Sequence, residues 1–362
     1  MKKNYKLKME SIIIENGLKM EIIEIENGFY PESTINGNII ILNKEINTET
    51  IILQLKRKQY CNHKNLLNDI TIIKEKQINT QNYTKIDFTF EIPEELEPSF
   101  EYYNDNTFIY LRYYLEAKCI SNNQLYNCTY IILIKAKYIN RISNINFNTK
   151  NGISRFFTDK GECSCNIYID KNCFTFDEIL KLNIEIDNTK CSFDISKFKA
   201  TIIREVIVTS FNKEKIHYEK TINGRETKEV LIKKGTFNNQ TMDIKIKDNE
   251  NFNINKWKNP YNNNDKKILK FIPSVDTLYI KCIYKIKFTI YFDAFLLSSD
   301  YRPRIFIPIY ISHQSKEEFD RIQNKKSKSV FNSDQLIDGF KSLNENIDDY
   351  KKSEIEDNNF IY

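Results

Sequence analysis

One strand pattern constrains the fold of this chain more than any other feature. Apolar and polar residues alternate without a break through the segment Ile109-Tyr110-Leu111-Arg112-Tyr113-Tyr114-Leu115-Glu116-Ala117. A period of two is typical of a β-strand with one buried face. The preceding segment, Phe88–Phe100, contains Pro93 and Pro98, which predict that an earlier strand stops and turns there. Together the two segments predict strand, turn and strand.

Similar patterns occur along most of the chain. Asn16-Gly17 is a strong hairpin signal between two short strands within residues 5–25. In the segment 50–58, Ile51, Leu53 and Leu55 fall on one face of a strand, and Ile52 and Gln54 fall on the other. Further strands are predicted at 70–78, 83–92, 128–138 and 301–311. These patterns predict an all-β fold class.

The second half of the chain repeats the first. The pattern of Phe29–Ile39 returns in Phe174–Ile184, 145 residues further along (174 minus 29). The segment Phe271-Ile272-Pro273 echoes Phe90–Pro93, and a long alternating strand from Ile280 to Phe292 follows it. Two motifs in the same order in both halves predict two diverged copies of one all-β domain.

The length of 362 residues fits two such domains and a tail. We predict domains at 1–150 and 151–314 and a polar tail at 315–362. A polar stretch at 212–266 interrupts the second copy and is interpreted as long hairpins and a loop. In the tail, a helical stripe of apolar residues predicts either a partner-docking helix or a disordered spacer; its members are Leu336, Phe340, Leu343 and Ile347.

Charge and hydropathy exclude several classes of protein. The net charge of +5 comes from 54 basic and 49 acidic residues that are interspersed, which argues against a nucleic-acid partner. No apolar run approaches the length of a membrane span, and the first residues lack the apolar core of a signal peptide. We therefore expect a cytoplasmic protein without a transmembrane segment, in which the 8 cysteines are reduced.

The two repeated turns resemble those of the arrestin family, nearest to its α-arrestin branch, and the resemblance extends over most of residues 5–312. The matching residues of the first turn are Phe29, Pro31, Ile35, Gly37 and Ile39. Those of the second are Phe174, Glu178, Leu180, Leu182, Ile184, Asp187 and Asn188. The chain departs from the family at Glu32 and Ser33, which stand where Gly and Glu are usual, and at Phe176 and Asp177, which replace Pro and Gly.

The resemblance implies two immunoglobulin-like β-sandwiches in tandem, joined near residues 140–160. It also implies an adaptor in membrane-protein trafficking or signalling that is not an enzyme and needs no cofactor. The chain has no Pro-Pro-x-Tyr motif, so the recruitment of ubiquitin ligases is not carried over.

The residues themselves also predict no catalytic, cofactor-binding or metal-binding site. The histidines, His63, His217 and His313, stand in no recognisable nucleophile or metal motif. Cysteines cluster at the head of the second copy, but their spacing is unusual for zinc, and we interpret them as structural thiols; they are Cys163, Cys165, Cys173 and Cys191.

Basic residues are the candidate partner-binding or phosphate-binding residues, because Lys and Arg bind phosphate by charge and Arg also by a two-pronged hydrogen bond. The candidates are Lys6, Lys8, Lys56, Arg57 and Lys58. By analogy with arrestins, Lys6 and Lys8 would meet phosphorylated tails. The alternative, favoured in a lysine-rich chain, is that the lysines are the solvated positions of amphipathic strands.

The leading hypothesis is an adaptor that binds membrane-protein tails or trafficking and signalling machinery, by β-strand addition and charge pairing. It would act in the cytoplasm and peripherally on endosomal or plasma membranes. Two alternatives stay open: a rigid subunit of a larger protein assembly, and a peripheral protein that binds anionic lipid through its lysines.

Overall fold

The computed structural model describes residues 8–321, except for 16, 25–27, 45, 64–65, 81–83, 105–106, 140–144, 156–157, 223–225, 248–271 and 294–301. Strands account for 69% of the structure and helix for 3%, so the predicted all-β fold class is confirmed. Among the described residues, no helix is long and apolar enough to cross a membrane.

The first half of the chain forms two antiparallel sheets. Its strands are β1 (Lys8–Glu15), β2 (Leu18–Glu24), β3 (Thr34–Ile41), β4 (Thr50–Cys61), β5 (Leu67–Asn79), β6 (Lys85–Glu91), β7 (Phe100–Asn104), β8 (Thr107–Ser121) and β9 (Gln124–Ile132). One sheet has the order β1-β2-β3-β6, and the other has the order β5-β4-β8-β7, with β9 also paired to β8.

The second half forms two further sheets. Its strands are β10 (Ile145–Arg155), β11 (Thr158–Ile169), β12 (Cys173–Phe174), β13 (Ile179–Cys191), β14 (Ile195–Thr209), β15 (Lys215–Thr221), β16 (Glu226–Ile232), β17 (Phe237–Lys245), β18 (Val275–Asp276), β19 (Ile280–Phe292) and β20 (Arg304–Ile311). One sheet has the order β10-β11-β13-β17, and the other has the order β12-β20-β19-β14-β15, with β16 on β14 and β18 on β19. The fold is a tandem β-sandwich.

The predicted alternation decides which side chains enter the cores. In β8 the odd-numbered residues from 109 to 117 are buried, and the even-numbered ones face the other way. β19 shows the same parity, with its even-numbered residues from 280 to 292 buried. Burial of apolar side chains along one face of each strand is the main source of stability for such a sandwich.

The repeated turn has the same backbone geometry in both halves. Glu32 and Asp177, 145 residues apart, both adopt the left-handed conformation, with φ of 65° and 67°. The Glu32 amide donates to the carbonyl of Ile92 at 3.2 Å, and the Asp177 amide donates to that of Ile246 at 2.7 Å. Both positions are ones where the arrestin pattern has glycine, which adopts this conformation without strain.

A proline-serine pair also recurs, but not in the register that the sequence suggested. The Ser99 amide donates to the Ile134 carbonyl, and the Ser274 amide donates to the Ile311 carbonyl. Each serine hydroxyl in turn accepts a hydrogen bond from the same partner's amide, at 2.9 and 2.8 Å. Pro273-Ser274 therefore corresponds to Pro98-Ser99, and the expected match of Phe271-Ile272-Pro273 with Phe90–Pro93 is corrected.

A buried tyrosine stabilises each of these turns. The Tyr113 hydroxyl donates to the Glu97 carbonyl at 2.8 Å, and the Tyr284 hydroxyl donates to the Ile272 carbonyl at 2.6 Å. Each accepting residue immediately precedes the proline of the proline-serine pair. The backbone turn, the serine and the tyrosine together support the interpretation of the chain as a duplicated domain.

Polar contacts join the first half of the chain to the second half. The Thr277 hydroxyl donates to Oε1 of Gln59 at 2.7 Å, and both side chains are buried. The Ala136 amide donates to Nδ1 of His313 at 2.9 Å, while the His313 amide donates to the Ala136 carbonyl at 3.1 Å.

The chain separates into two compact units, Met1–His313 and Gln314–Tyr362. The first holds β1 to β20. In the second, the structure describes a short helix over residues 316–321, next to which the Ser315 hydroxyl accepts a hydrogen bond from the Glu318 amide at 3.2 Å. The domain bounds 1–150, 151–314 and 315–362 stay predictions.

Candidate functional site

The outer face of the sheet β5-β4-β8-β7 carries aromatic rings and cations side by side. We call it the aromatic–basic face; it comprises Lys56, Lys58 and Tyr60 on β4, Ile70 and Ile72 on β5, Glu101 and Tyr103 on β7, and Phe108, Tyr110, Arg112, Tyr114 and Glu116 on β8. These positions have the opposite parity to the core residues of β8, so the strand period brings them to one face, on which Tyr110 is itself 8% exposed.

Four rings form a continuous stack on this face. Tyr60 and Tyr110 are directly opposite each other in the register of β4 and β8, and their ring centroids lie 5.1 Å apart. Phe108 lies 5.2 Å from Tyr110, and Tyr103 lies 5.3 Å from Phe108. Offset and tilted rings at such distances attract each other and keep the surface rigid.

Two cations sit over these rings from opposite strands. The Arg112 guanidinium lies 4.6 Å from the centre of the Tyr110 ring, and the Lys58 ammonium lies 6.0 Å from the same ring. Lys58 and Arg112 are directly opposite in the β4–β8 register. Like charges in this position repel each other, and the negative ring faces offset part of that repulsion.

Arg112 is fixed by an acidic neighbour. Its Nε donates to Oε1 of Glu101 at 2.7 Å, and both side chains are largely shielded from water. Burial acts to lower the pKa of Arg112, but the charge and hydrogen bond of Glu101 outweigh it, so the pKa is raised. The Arg112 side chain is therefore permanently charged, and the Glu101 carboxylate neutralises that charge.

The two lysines differ in their partners. Lys56 forms an ion pair with Glu116. In the described part of the chain, no carboxylate lies within ion-pair distance of Lys58, which contacts the rings of Tyr60 and Tyr110 at 5.9 and 6.0 Å. Lys58 is thus the cation of this face whose charge is available to a ligand.

An apolar strip borders the lysines. Ile70 and Ile72 on β5 lie opposite Lys58 and Lys56 and are 60% and 54% exposed. β5 pairs with β4 alone among the described strands, so its outer edge is a sheet edge. An edge strand with exposed aliphatic side chains is suited to pairing with an added strand.

Farther along, β5 closes the edge of a different sheet. The ammonium groups of Lys74 and Lys76 donate to the backbone carbonyls of Glu91 and Thr89 on β6, at 3.1 and 2.8 Å. These lysines occupy acceptors that an added strand would need, a common protection of sheet edges. The two lysines thus protect the edge of β6, and the exposed Ile70 and Ile72 precede them on β5, beside the aromatic–basic face.

The predicted basic residues are placed differently from one another. Lys56 and Lys58 share the aromatic–basic face, whereas Arg57 lies opposite Tyr113 on the inner face, with its Nε buried. Lys8 begins β1, and its side chain lies outside the described part, as does all of Lys6. The predicted tail residues also lie outside it: Leu336, Phe340, Leu343 and Ile347.

Sequence reasoning missed the aromatic residues and Arg112. The sequence contains a pattern that could have identified them. The positions of segment 109–117 that are predicted to face water are occupied by Tyr110, Arg112 and Tyr114 instead of small polar residues. Aromatic side chains at positions predicted to face water are candidates for a binding surface. Their contact with Lys58 depends on the β4–β8 register, which local patterns do not specify.

The clustered cysteines have the properties of structural thiols. Cys163, Cys165, Cys173 and Cys191 are all buried, and Cys173 pairs in a different sheet from the others. Burial raises the pKa of Cys163 to about 12 and also raises that of Cys173. A raised pKa disfavours the thiolate that zinc requires.

Comparison with known proteins identifies one part of the chain. Residues 159–316 match the family model described as the C-terminal domain of arrestin, or S-antigen. This range begins at β11 and ends just after β20. No curated protein sequence matches the chain.

Proposed function

We propose that this chain, whose residues 159–316 match the family model of the arrestin C-terminal domain, is a non-catalytic arrestin-like adaptor. Its aromatic–basic face binds an extended peptide segment of a membrane protein or of trafficking and signalling machinery. The observation that carries this proposal is the pair Lys58 and Arg112, directly opposite each other over the Tyr110 ring, of which Glu101 neutralises one. The assignment to the α-arrestin branch and the cytoplasmic location stay predictions.

The charges of the face select the ligand. Lys56 and Arg112 already have carboxylate partners, so an anionic group on the ligand gains most from Lys58. The partly apolar surroundings strengthen that attraction relative to water. A ligand group that brings negative charge between β4 and β8 also relieves the repulsion between Lys58 and Arg112.

The apolar strip selects the neighbouring ligand residues. Ile70 and Ile72 expose aliphatic surface beside Lys58, and ligand residues that cover it gain the transfer free energy of the buried area. A strand added to the edge of β5 would direct alternate side chains to this strip. The ligand class is therefore an extended peptide with aliphatic residues next to Asp, Glu or a phosphorylated residue.

A selection from a displayed random-peptide library tests this proposal. With the full chain as bait, we expect peptides enriched in Ile, Leu or Val at alternate positions next to Asp or Glu. We expect binding to fall at least tenfold with Lys58→Glu and with Ile70→Asp. The matched control is Lys181→Glu, which reverses an exposed lysine on β13 and should leave affinity unchanged.

Phosphorylated copies of the selected peptides separate the two sources of anionic charge. Tighter binding of the phosphorylated copies would identify phosphate as the preferred group, and weaker binding would identify carboxylate. The proposal is rejected if the selected peptides share no acidic residue, or if Lys58→Glu and Lys181→Glu reduce affinity equally.

A further inference from the structure

A second cluster of ligating side chains lies on the strands β14 and β15, away from the aromatic–basic face. In the described part of the chain, Glu205, His217 and Glu219 place one ligand atom each within 4.8 Å of the others. Glu205 and Glu219 are directly opposite each other in the β14–β15 register. His217 precedes Glu219 by two residues, so both side chains leave β15 on the same side.

This arrangement concentrates negative charge. Two carboxylates directly opposite each other on neighbouring strands are destabilising unless a cation compensates them. Lys285 on β19 forms an ion pair with Glu205 and compensates one of them. Glu219 is exposed, and Nε2 of His217 lies 4.0 Å from Oε1 of Glu205. The cluster retains one negative charge when His217 is neutral.

We propose that Glu205, His217 and Glu219 form a binding site for a divalent transition-metal ion of the zinc type. One imidazole nitrogen and two carboxylate oxygens are a ligand set that Zn²⁺ accepts, with bonds of about 2.0–2.2 Å. Such bonds bring ligand atoms to within about 4 Å of one another, so a small rotation of the two exposed side chains closes the site. The remaining coordination positions would be filled by water.

Lys285 is suited to hold the first ligand in place. Its ammonium forms an ion pair with Oε1 of Glu205, the oxygen that also lies 4.0 Å from Nε2 of His217. Hydrogen bonds to ligating carboxylates from neighbouring groups are common in metal sites, where they orient the ligand.

On the opposite side of β15, side chains contact the strands β7 and β8 of the first half of the chain. Tyr218 lies between the two proposed ligands; its hydroxyl donates to Thr107 Oγ1 at 3.1 Å, and its ring lies 5.7 Å from that of Tyr102. The Arg204 guanidinium, next to Glu205, lies 5.3 Å from the Tyr102 ring. A metal that joins β14 to β15 would hold Tyr218 and Arg204 in these contacts.

Titration of the full chain with Zn²⁺ against a chromophoric chelator tests the site. The wild type is expected to bind one more zinc ion than His217→Ala. Glu219→Gln is expected to lower the affinity for that ion at least tenfold. His63→Ala removes a histidine that does not belong to the cluster and is expected to bind zinc like the wild type. Both altered ligands are exposed, so circular dichroism should show unchanged strand content.

X-ray absorption at the zinc edge separates this site from binding by thiols. Nitrogen and oxygen neighbours at about 2.0–2.2 Å, without sulfur at about 2.3 Å, support the proposal. Equal zinc binding by the wild type and His217→Ala overturns it, and so does a sulfur shell. A thermal midpoint that zinc raises in the wild type but not in His217→Ala supports the role of the metal in joining β14 to β15.

Discussion

At the scale of single residues, Glu32 and Asp177 hold a backbone conformation that glycine adopts more readily than either of them. Their φ values of 65° and 67° belong to the left-handed region, where residues other than Gly, Asn and Asp are uncommon. The amide of each donates to the residue that follows a strand, Ile92 after β6 and Ile246 after β17. The turn hydrogen bond therefore overrides the local preference at both positions.

Asp177→Gly is expected to stabilise the protein by about 0.5–1 kcal/mol, because glycine removes the strain of the left-handed backbone. The lost ion pair with Lys245, at 3.6 Å and largely exposed, contributes little. Urea denaturation measures the change. Asp177→Ala keeps the strain and loses the same ion pair, and a glycine variant less stable than this alanine variant would contradict the account.

His313 is the second residue with a specific consequence. Its Nδ1 accepts the Ala136 amide, and burial lowers the pKa of His313 to about 3, with a smaller contribution from Lys135. The unfolded chain binds a proton to this residue below about pH 6.5, whereas the folded chain does not. Above that pH, His313 therefore does not reduce the free energy of unfolding. Below it, the free energy of unfolding falls as the pH decreases from about 6.5 towards 3.

Unfolding free energies measured between pH 6.5 and 5 should decrease by up to about 1.4 kcal/mol per pH unit, since most carboxylates titrate below this range. His313→Asn keeps an acceptor for the Ala136 amide and removes the titrating group. We expect the slope to disappear in this variant and to persist in His63→Ala. A slope that survives in His313→Asn would show that another group is responsible.

At the scale of elements, each half of the chain uses the same three devices at the end of a strand. These are the left-handed turn residue, the serine that caps a partner amide, and the buried tyrosine that bonds the carbonyl before the proline. Buried carbonyl groups need a donor, and a tyrosine provides one while its ring fills the core. Equivalent contacts predict equivalent energetic roles.

Tyr113→Phe and Tyr284→Phe are each expected to lower the free energy of unfolding by about 1–2 kcal/mol, because each removes the hydroxyl donor from a carbonyl that is part-buried at Glu97 and buried at Ile272. Tyr168→Phe is the control: its hydroxyl donates to Glu185 near the surface, where water can replace it. Denaturant unfolding measures all three. A loss in one half of the chain without a similar loss in the other would argue against functional equivalence of the two turns.

At the scale of the whole molecule, the sequence predicted the sandwiches better than their surfaces. Local alternation is enough to assign strands and buried faces, as β8 and β19 show. Within the charged run at 56–58, Arg57 shares the parity of the buried Leu53 and Leu55, whereas Lys56 and Lys58 lie on the other face of β4. The contact of Lys58 with Tyr110 depends on strand pairing across more than 50 residues, which no local pattern specifies.

Proximity labelling in the source cell tests the central claim, that the aromatic–basic face binds peptide segments of membrane or trafficking proteins. The experiment compares the wild type with Lys58→Glu and with Lys181→Glu at equal expression. We expect membrane or trafficking proteins to be labelled by the wild type and by Lys181→Glu, and to be lost from the labelled set with Lys58→Glu. Identical labelled sets for all three chains would contradict the claim.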